Sequence, residues 1–352
     1  MKIAILNDTH FGARNDNPVF LEHFFKFFEE EFFPYLEKHN IRHIIHLGDL
    51  MDRRKYVNFN TLNSVQERFI KHLWRHRINV TIIPGNHDVY YKNTNAVNSL
   101  SELFQESSYC QYWKICHKPT VLDDFGIALV PWITKDNEKE CLDFIASKPA
   151  PVLMGHLELA GYEVLRGVEH HEGMSADILS GYEAVYSGHF HCKHSKGNVH
   201  YLGTQYQITF SDLNETKGFH VFDTETRQIE YVQNPHRIFT KLIYNDKTTD
   251  YGHPLLNLTQ YKNTYVKVVV EEKSNPLMFE RLLESLNEVG CYSYSVDERA
   301  VQEKTSKTAE KVDLTKDTLT LICEEIDGME GIEDAARLKN LMRDLYMDAL
   351  HT

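Results

Sequence analysis

Five short apolar runs, each followed by a residue that can bind a metal ion, constrain the fold of this chain most strongly. The runs are IAIL, IIHL, TIIP, PVLM and AVYS, and the polar residues that follow them include Asp8, Asp49, Asn86, His156 and His189. Short apolar runs bounded by turn residues are typical of buried strands. Ligand sites in α/β sheets form beyond the carboxyl ends of the strands. We therefore expect one edge of the sheet to carry all five groups.

The segments between these runs predict an α/β fold built on two sheets. Residues 19–33 and 61–77 carry apolar side chains at the spacing of one helix face. From residue 198 the pattern changes to strands joined by tight turns, as in GFHVFDTETRQIEYV. Strands that alternate with helices indicate α/β layering. We predict a two-sheet sandwich flanked by helices over residues 1–235.

The rest of the chain predicts a small α+β domain, a linker and a helical tail. Residues 236–298 have the order strand, strand, helix, strand, and residues 299–316 are nearly without large apolar side chains, as linkers are. Residues 317–352 contain two helical patterns. Each pattern has an apolar stripe, formed by Leu319, Ile322 and Ile326 in the first helix and by Leu338, Met342 and Leu345 in the second.

The groups at the strand ends are oxygen and imidazole ligands without thiolate. This set suits manganese, iron, magnesium or catalytic zinc, and disfavours a structural zinc site. The candidates are Asp8, His10, Asp49, Asn86, His156, His189 and His191. Seven ligands suit two ions roughly 3.5–4 Å apart that share a carboxylate, an arrangement that clamps phosphate oxygens and activates water.

Each motif taken alone also has a purely structural explanation. Gly-Asn-His-Asp can form an Asn-led turn, and isolated Gly-His pairs are common. The ordered set favours a site, because every motif ends a predicted strand. Among the nearby groups, we expect Cys192 and His194 to take no part, and His170 and His171 to lie in a solvated loop.

The motifs Asp-x-His, Gly-Asp-x-x-Asp, Gly-Asn-His-Asp, Gly-His and Gly-His-x-His, in this order, resemble the calcineurin-like metallophosphoesterase superfamily. Within it, Gly-Asp-Leu-Met-Asp, Gly-His-Leu-Glu-Leu and the appended domain are similar to SbcD-type nuclease subunits of DNA double-strand-break repair, above all the tailed-phage recombination endonucleases. The resemblance implies a DNA nuclease, cutting duplex DNA as an exonuclease and single strands as an endonuclease. It implies two divalent ions, foremost Mn²⁺ with Mg²⁺ as the alternative.

The same resemblance implies two protein partners. One is an SbcC-type ATPase, whose coiled-coil base the tail would bind as helices in a groove. The other is a second copy of the chain, since family members dimerise through helices near the active face. Residues 61–77 and 97–107 are the candidate dimer helices.

The resemblance also implies a role for each site residue. It assigns two ligand shells that share Asp49: Asp8, His10 and His191 around one ion, and Asn86, His156 and His189 around the other. His87 would face the scissile phosphate. Asp52 stands where many archaeal and eukaryotic members have a second histidine, and we expect its carboxylate to hydrogen-bond His87 and favour the imidazolium form.

Two clusters are candidate DNA contacts. They are Arg53, Arg54 and Lys55 after the second motif, and Tyr90, Tyr91 and Lys92 after the third. Basic groups beside aromatic rings suit phosphate contact and base stacking, although each cluster alone is also typical of a solvated loop. A stand-alone phosphatase or phosphodiesterase is the competing function, because the metal core does not choose the substrate. A scaffold without activity is disfavoured by the complete ligand set.

Charge and cysteine content restrict the mode of nucleic-acid binding and the cellular compartment that we expect for this chain. The net charge of −13 disfavours a protein that grips nucleic acid over its whole surface, yet residues 1–100 carry 13 Lys/Arg against 11 Asp/Glu. The six cysteines form no Cys-x-x-Cys pair, which suits a reducing compartment. No apolar run approaches the ~20 residues that span a bilayer. We expect a cytoplasmic protein, in the host cytoplasm if phage-encoded.

Overall fold

The computed structural model describes residues 1–251, 253, 257–298, 322–323, 325–326 and 334–350. The chain divides into two compact units. The first contains Met1–Ile208 and Glu215–His236, and the second contains Thr209–Asn214 and Arg237–Thr352.

The first unit is built on two six-stranded sheets. Its strands are β1 (Lys2–Leu6), β2 (His43–His46), β3 (Asn79–Ile82), β4 (Val89–Tyr91), β5 (Thr94–Asn98), β6 (Trp113–Ile115), β7 (Thr120–Leu122), β8 (Ile127–Val130), β9 (Val152–His156), β10 (Glu163–Leu165), β11 (Val168–Glu169), β12 (Ala184–Gly188), β13 (His194–Lys196), β14 (Val199–Tyr201), β15 (Gly218–Asp223) and β16 (Ile229–Gln233). One sheet has the order β16-β15-β1-β2-β3-β6, and the other has β13-β14-β12-β9-β8-β7. The five apolar runs form β1, β2, β3, β9 and β12, so their prediction as strands is confirmed.

The core of this unit lies between the two sheets. Ile5 and Leu47 from the first sheet and Met154 from the second belong to one buried cluster. The inner strands β1 and β9 are buried on both faces, which explains why their sequences are continuous apolar runs rather than alternating ones. The predicted sandwich architecture is confirmed, and its sheet packing sets where the strand ends lie.

Two long helices connect strands of the first sheet, and they lie in the two segments where helices were predicted. The first runs through Pro18–Phe27, the π-helical Phe28–Phe32 and Phe33–Lys38, and the second through Phe59–Ser64, the π-helical Val65–Ile70 and Lys71–Arg75. Asn17 and Asn58 cap them by accepting main-chain N–H groups. The first helix stacks Phe24 on Tyr206 at 3.9 Å, and the Tyr206 hydroxyl donates to the carbonyl of Thr9 at 2.6 Å. This contact links the helix to the loop after β1.

The remaining helical segments of the first unit are short, apart from one of ten residues. They are the single turn Ala13–Asp16, whose last three residues have left-handed φ angles, the π-helical Ser101–Gln105, the 3-10 turns Ser108–Cys110, Asp123–Phe125 and Ala176–Leu179, and the α-helix Glu138–Ser147.

The second unit contains a three-stranded parallel sheet, β17 (Phe239–Asn245), β18 (Tyr265–Glu272) and β19 (Ser293–Asp297). The helix Pro276–Val289 lies between β18 and β19 in sequence, and its Leu282 and Leu286 are fully buried against the sheet. The predicted order of strand, strand, helix and strand is confirmed. The unit also has 3-10 turns at Phe210–Asn214 and Thr259–Tyr261 and the helix Ala335–Leu350.

The C-terminal predictions fall partly outside the described residues. The predicted linker and Leu319 lie outside them, whereas Ile322 is helical and Ile326 is buried. Leu338 and Met342 are half-buried on the helix Ala335–Leu350, and Leu345 is exposed. The six cysteines are free thiols. Among the described residues, no helix combines the length and apolar character required to cross a membrane.

Candidate metal centre

The five strand ends meet, but they come from two sheets rather than from one edge. Neighbouring parallel strands β1, β2 and β3 bring Asp8, Asp49 and Asn86 from the first sheet. The parallel pair β9 and β12 brings His156 and His189 from the second. The single-edge expectation is therefore corrected. Both sheets bury their inner faces against one core, and this packing places their carboxyl ends side by side.

The first group of side chains is Asp8, His10 and His191, whose ligand atoms lie within 4.8 Å of one another. His10 Nε2 is 3.0 Å from His191 Nε2 and 3.9 Å from Asp8 Oδ1. Asp49 Oδ2 is 3.7 Å from the same His10 nitrogen. These four side chains are the ones that the resemblance assigns to one ion.

The second group surrounds Asn86. Its Oδ1 lies 2.8 Å from His156 Nε2 and 2.9 Å from His189 Nδ1. Asp49 Oδ2 is 3.3 Å from His156 Nε2, so this carboxylate reaches both groups. Asp8, Asp49 and His156 also have ligand atoms within 4.8 Å of one another.

The chemistry of these atoms fits a cation at each group. His156 Nδ1 lies 2.7 Å from the carbonyl of Leu47, which accepts its proton and leaves the Nε2 lone pair directed at Asn86 and Asp49. Ring lone pairs, a carboxylate and an amide oxygen are all acceptors, and acceptors this close repel unless a proton or a cation lies between them. Oxygen and imidazole ligands are those that Mn²⁺ and related ions take.

The pKa values of two rings show how strongly this cluster attracts positive charge. Burial alone would lower the pKa of His10, but Asp52, Asp49 and Asp8 outweigh it and raise the pKa to about 9. Burial is likewise outweighed at His156, where Asp49 contributes most to raising the pKa to about 9. Without ions, protons would neutralise the same carboxylates that divalent ions would neutralise.

Asn86 has a partner in either orientation of its amide. With the oxygen inward it can join the rings as a ligand. With the NH₂ group inward it would donate to Asp49, His156 and His189, and its oxygen would accept from Arg54 Nη2 at 3.2 Å. Arg54 therefore borders the centre directly.

Four of the candidate ligands have left-handed backbone conformations. The φ angles are 48° at Asp8, 43° at His10, 57° at Asp49 and 86° at His189. Such conformations cost about 1–3 kcal/mol each and persist only where surrounding contacts enforce them. The Asp8 carboxylate accepts the His189 N–H at 3.0 Å, and Asp8 N–H donates to the carbonyl of Gly48 at 2.9 Å. Hydrogen bonds between the loops therefore hold the strained residues.

The loops after β2 and β3 touch through their backbones. Gly48 has φ +95°, and a Cβ on it would lie 2.6 Å from the nitrogen of Gly85. The buried Asp88 carboxylate joins the same loops, accepting N–H groups of Asp49 at 2.7 Å and Gly85 at 3.0 Å. Burial raises the pKa of Asp88 to about 6. Asp88, which ends Gly-Asn-His-Asp, thus orients the loop that carries Asp49.

The contact of His87 differs from the expected one. His87 Nδ1 donates to the main-chain carbonyl of Asp52 at 2.5 Å, whereas the Asp52 carboxylate lies 3.2 Å from His10 Nδ1. Burial lowers the pKa of His87. Its ring is 4.7 Å from that of His10, beside the centre. The side chain of Asp52 therefore faces a candidate ligand, and its backbone orients His87.

Of the six candidate DNA contacts, Arg53 is engaged in contacts within the protein, and the other five are at least partly accessible. Arg53 pairs with Asp16 at 3.2 Å, donates to the Tyr56 hydroxyl at 2.7 Å and also contacts Asn15, so its guanidinium serves internal contacts. The accessible residues are Lys55, Tyr90, Tyr91 and Lys92, with Arg54 half-buried. Two exposed aromatic residues lie beside Arg53 in sequence and had no predicted role, Tyr56 and Phe59, which are 63% and 84% exposed.

The residues that were expected to take no part in the site have different environments in the structure. His194 accepts the N–H of Glu163 at 2.9 Å, and Cys192 is buried, so both fit structural roles. His171 is exposed, as expected. His170 is not solvated: its Nε2 lies 3.2 Å from Glu158 Oε1, and its side chain is 16% exposed. Glu158, in the Gly-His-Leu-Glu-Leu segment, was not predicted as a site residue.

Comparison with known proteins identifies a family and two similar nuclease subunits. Residues 1–193 match the profile of the family described as Metallophos, calcineurin-like phosphoesterase. The chain is 31% identical to Exonuclease subunit 1 of Enterobacteria phage T4 across 99% of both chains. It is 24% identical to the SbcD subunit of the nuclease SbcCD of Staphylococcus epidermidis across 65% of this chain and 67% of that protein.

A solved archaeal phosphodiesterase structure covers 66% of this chain and 100% of its own, with a TM-score of 0.30 and 14% identity. The family profile covers more than half of the chain, and the phage relative covers almost all of it. The chain is therefore a hydrolase that belongs to the calcineurin-like phosphoesterase family.

Proposed function

We propose that this phosphoesterase is a DNA nuclease that uses two divalent ions, with Mn²⁺ the foremost candidate and Mg²⁺ the alternative. The observation that carries the proposal is the convergence of seven oxygen and imidazole side chains in two groups, with Asp49 reaching both. The relatives, which are named as an exonuclease subunit and a nuclease subunit, support DNA as the substrate.

The proposed ligand shells follow the two groups of side chains. Asp8, His10, His191 and Asp49 would hold one ion, and Asn86, His156, His189 and Asp49 the other. When bound, such a pair supplies Lewis-acid stabilisation of a phosphodiester and an activated water. Asp88 keeps Asp49 between the two shells through its main-chain contacts.

His87 would act on the scissile phosphate. Its Nδ1 proton is committed to the carbonyl of Asp52, so Nε2 is the ring nitrogen that would act on the substrate. A neutral ring presents a lone pair there, and it can donate only when it is protonated. A phosphodiester placed beside it would favour the protonated form, which could then stabilise the developing charge or protonate the leaving oxygen.

The proposed DNA path borders the centre. Arg54 lies at the Asn86 amide, and Lys55, Tyr91 and Lys92 are exposed. Tyr90 stacks edge to face on Tyr91 with their ring centroids 4.7 Å apart, and both rings are accessible to bases. Because Arg53 is held by Asp16 and Tyr56, we propose no phosphate contact for it.

The proposed biological setting combines the nuclease with an ATPase. We propose that residues 1–235 form the nuclease domain and 236–298 the capping domain. The tail would dock onto the coiled coil of an SbcC-type ATPase in recombination and double-strand-break processing in the cytoplasm. Homodimerisation would occur through residues 61–77 and 97–107. Leu341 and Leu345, which lie one helical turn apart and are both 53% exposed, support an exposed apolar patch on the tail helix.

A stand-alone phosphodiesterase or phosphatase is the alternative, since members of one fold take different substrates. The second unit argues against it, because a small-molecule phosphatase has no need of a further α+β domain and an apolar tail helix. The match to a nuclease subunit across 99% of both chains includes these parts.

Digestion of end-labelled duplex and single-stranded DNA tests the proposal. We expect hydrolysis of both substrates with Mn²⁺, with duplex digestion increased by the partner ATPase and ATP. The Asp49→Asn variant is the control, because it removes the shared carboxylate charge. Hydrolysis of a nitrophenyl phosphate ester without any DNA cleavage under the same conditions would instead support the alternative.

A further inference from the structure

A hairpin excursion after β9 reaches back to the metal centre. The chain leaves β9 at His156, runs through β10 and β11, and returns by residue 175. Its two arms are joined by main-chain bonds from Gly161 to His170 at 2.6 Å, His170 to Tyr162 at 2.7 Å and Met174 to Glu158 at 2.9 Å. These bonds place His170 and Glu158 at the base of the excursion.

Glu158 faces the side of His189 that is turned away from the candidate ligands. His189 Nδ1 points at Asn86 Oδ1, 2.9 Å away. The other ring nitrogen, Nε2, lies 3.8 Å from Glu158 Oε1, and His170 Nε2 lies 3.2 Å from the same oxygen. One carboxylate oxygen thus faces two imidazole rings, only one of which is a candidate ligand.

Close packing holds this arrangement. Gly173 has φ +96°, and a Cβ on it would lie 2.6 Å from the Glu158 carbonyl oxygen, so the returning arm approaches Glu158 only because residue 173 is glycine. The His189 ring also contacts Trp132 and Phe190, with centroids 5.1 Å and 4.9 Å away. The ring is therefore restricted on its sides as well as at Nε2.

We infer that Glu158 is a positioning residue, which keeps a proton on His189 Nε2 and directs its Nδ1 lone pair toward the ion, while His170 holds Glu158 in place. A histidine that binds a metal donates its other N–H to a carboxylate, carbonyl or water in nearly all proteins, and this contact fixes the ring and raises its basicity. The inference rests on the two-ion centre of the proposed function.

Mn²⁺ binding without DNA tests the inference, because it requires no turnover. Calorimetry and the electron paramagnetic resonance spectrum of the full chain would be measured for the wild-type protein, Glu158→Ala, Glu158→Gln and His170→Ala. Removal of such a carboxylate weakens metal binding by roughly 10–100-fold. We expect this loss in Glu158→Ala for one of the two ions, with the spin-coupled pair signal replaced by that of an isolated ion at limiting Mn²⁺.

The other variants define the mechanism. The Glu158→Gln side chain keeps an acceptor oxygen beside Nε2 but lacks the charge, so it should recover part of the affinity. His170→Ala alone should weaken ion binding less than Glu158→Ala does. In a protein that already carries Glu158→Ala, the addition of His170→Ala should cause no further loss of affinity. Glu169→Ala, an exposed glutamate on β11, is the matched control and should leave both affinities unchanged. In activity assays kcat should fall, with KM for DNA unchanged.

Unchanged affinity for both ions in Glu158→Gln and Glu158→Ala would overturn the inference, and so would an equal loss for both ions. If Glu158→Ala does not fold, the comparison of Glu158→Gln with the wild-type protein remains the deciding measurement. A wild-type protein that binds fewer than two ions would instead contradict the two-ion centre, so the two failures are distinguishable.

Discussion

At the scale of single residues, the centre concentrates groups that are unfavourable without a cation. Buried carboxylates, imidazole lone pairs and an amide oxygen face one another, and several of these residues have left-handed backbones. Asp88 and main-chain hydrogen bonds hold them together. Some of these residues would bind the ions and others would act on the substrate. Substitutions of single residues should therefore distinguish effects on metal binding from effects on catalysis.

Replacement of His87 by Asn should leave two ions bound and lower turnover by ~10²–10⁴, which is the usual contribution of a positioned acid or charge stabiliser. Because the protonated ring is the active form, kcat/KM should decline as the pH rises above the pKa of His87, a pKa that burial lowers. The variant should lack this decline. Metal content and rate would be measured on one sample, and parallel loss of both would show that His87 is a ligand.

The contacts of Asp52 predict coupling with His10 rather than with His87. Asp52→Asn keeps the carbonyl that accepts from His87 Nδ1 but removes the charge 3.2 Å from His10 Nδ1. We expect weaker Mn²⁺ binding and a smaller loss of turnover than in His87→Asn. In double-mutant cycles, the effects of Asp52→Asn and His87→Asn should multiply, since the variants act on separate contacts. Full non-additivity between them would restore a direct carboxylate–imidazole pair.

At the scale of elements, the left-handed turn Ala13–Asp16 is the clearest case of a strained segment held by tertiary contacts. Arg14, Asn15 and Asp16 have φ angles of 56°, 67° and 55°. Left-handed residues cost roughly 1–2 kcal/mol each outside glycine. Asp16 is held by Arg53 and by the Thr61 hydroxyl, which donates to it at 2.8 Å.

Arg53→Ala should therefore lower the free energy of unfolding by about 1–3 kcal/mol, the contribution of a hydrogen-bonded charge. Lys55→Ala is the matched control on the same loop. Its free energy of unfolding should stay within about 0.5 kcal/mol, while the salt slope of DNA binding should fall by roughly one. Denaturant unfolding and DNA titration at several salt concentrations measure both. A reduced salt slope with unchanged stability in Arg53→Ala would make Arg53 a phosphate contact.

At the scale of the whole molecule, buried neutral histidines should make the fold sensitive to acid. Burial, with smaller contributions from Lys193 and His200, lowers the pKa of His220 to about 3. The pKa of a histidine in the unfolded chain is about 6.5. At pH values between this pKa and that of folded His220, the unfolded chain binds more protons than the folded protein does. The free energy of unfolding therefore decreases as the pH falls through this range. Burial lowers the pKa of His23 to about 3 as well.

His220→Gln removes one such group, so its free energy of unfolding should fall less between pH 7.5 and pH 5 than that of the wild-type protein. The expected difference is on the order of 1–2 kcal/mol. Urea unfolding at the two pH values measures it. Parallel pH dependence in the two proteins would show that folding does not lower the pKa of His220.

Deletion of residues 305–352 tests the proposed tail. The last 52 residues carry 7 Lys/Arg against 12 Asp/Glu, so a basic partner surface and salt-sensitive binding are expected. Manganese nuclease activity on short single strands should remain nearly intact, while co-purification with the ATPase and ATP-dependent duplex digestion should be lost. Insolubility or loss of basal activity would show that the tail belongs to the catalytic core.

A point variant separates docking from folding. Leu345→Asp on the tail helix should weaken ATPase binding, whereas Leu277→Asp, an exposed leucine on the helix Pro276–Val289, should not. Equal effects of both variants would point to a general loss of stability.

The strands and the ligand types could be predicted from the sequence because both are local properties. A buried parallel strand requires a continuous apolar run, and a residue type that binds metal ions follows each run within a few positions, so β1, β2, β3, β9 and β12 and their polar ends were all recognisable. The contacts between these ends could not be predicted in the same way. Gly48 beside Gly85, Asp88 on the Asp49 loop and Glu158 beside His189 each join segments far apart in sequence, whose separation depends on which strands lie side by side in a sheet.

The same reason explains the residues whose partners differed from expectation. The carboxylate of Asp52 faces His10, Arg53 pairs with Asp16, and His170 pairs with Glu158. A charged or imidazole side chain has the same local sequence signal whether it meets solvent, substrate or another side chain. Only the packing of distant segments brings one of these partners within hydrogen-bonding distance, because side-chain contacts extend a few ångströms whereas sequence patterns specify only backbone period and polarity.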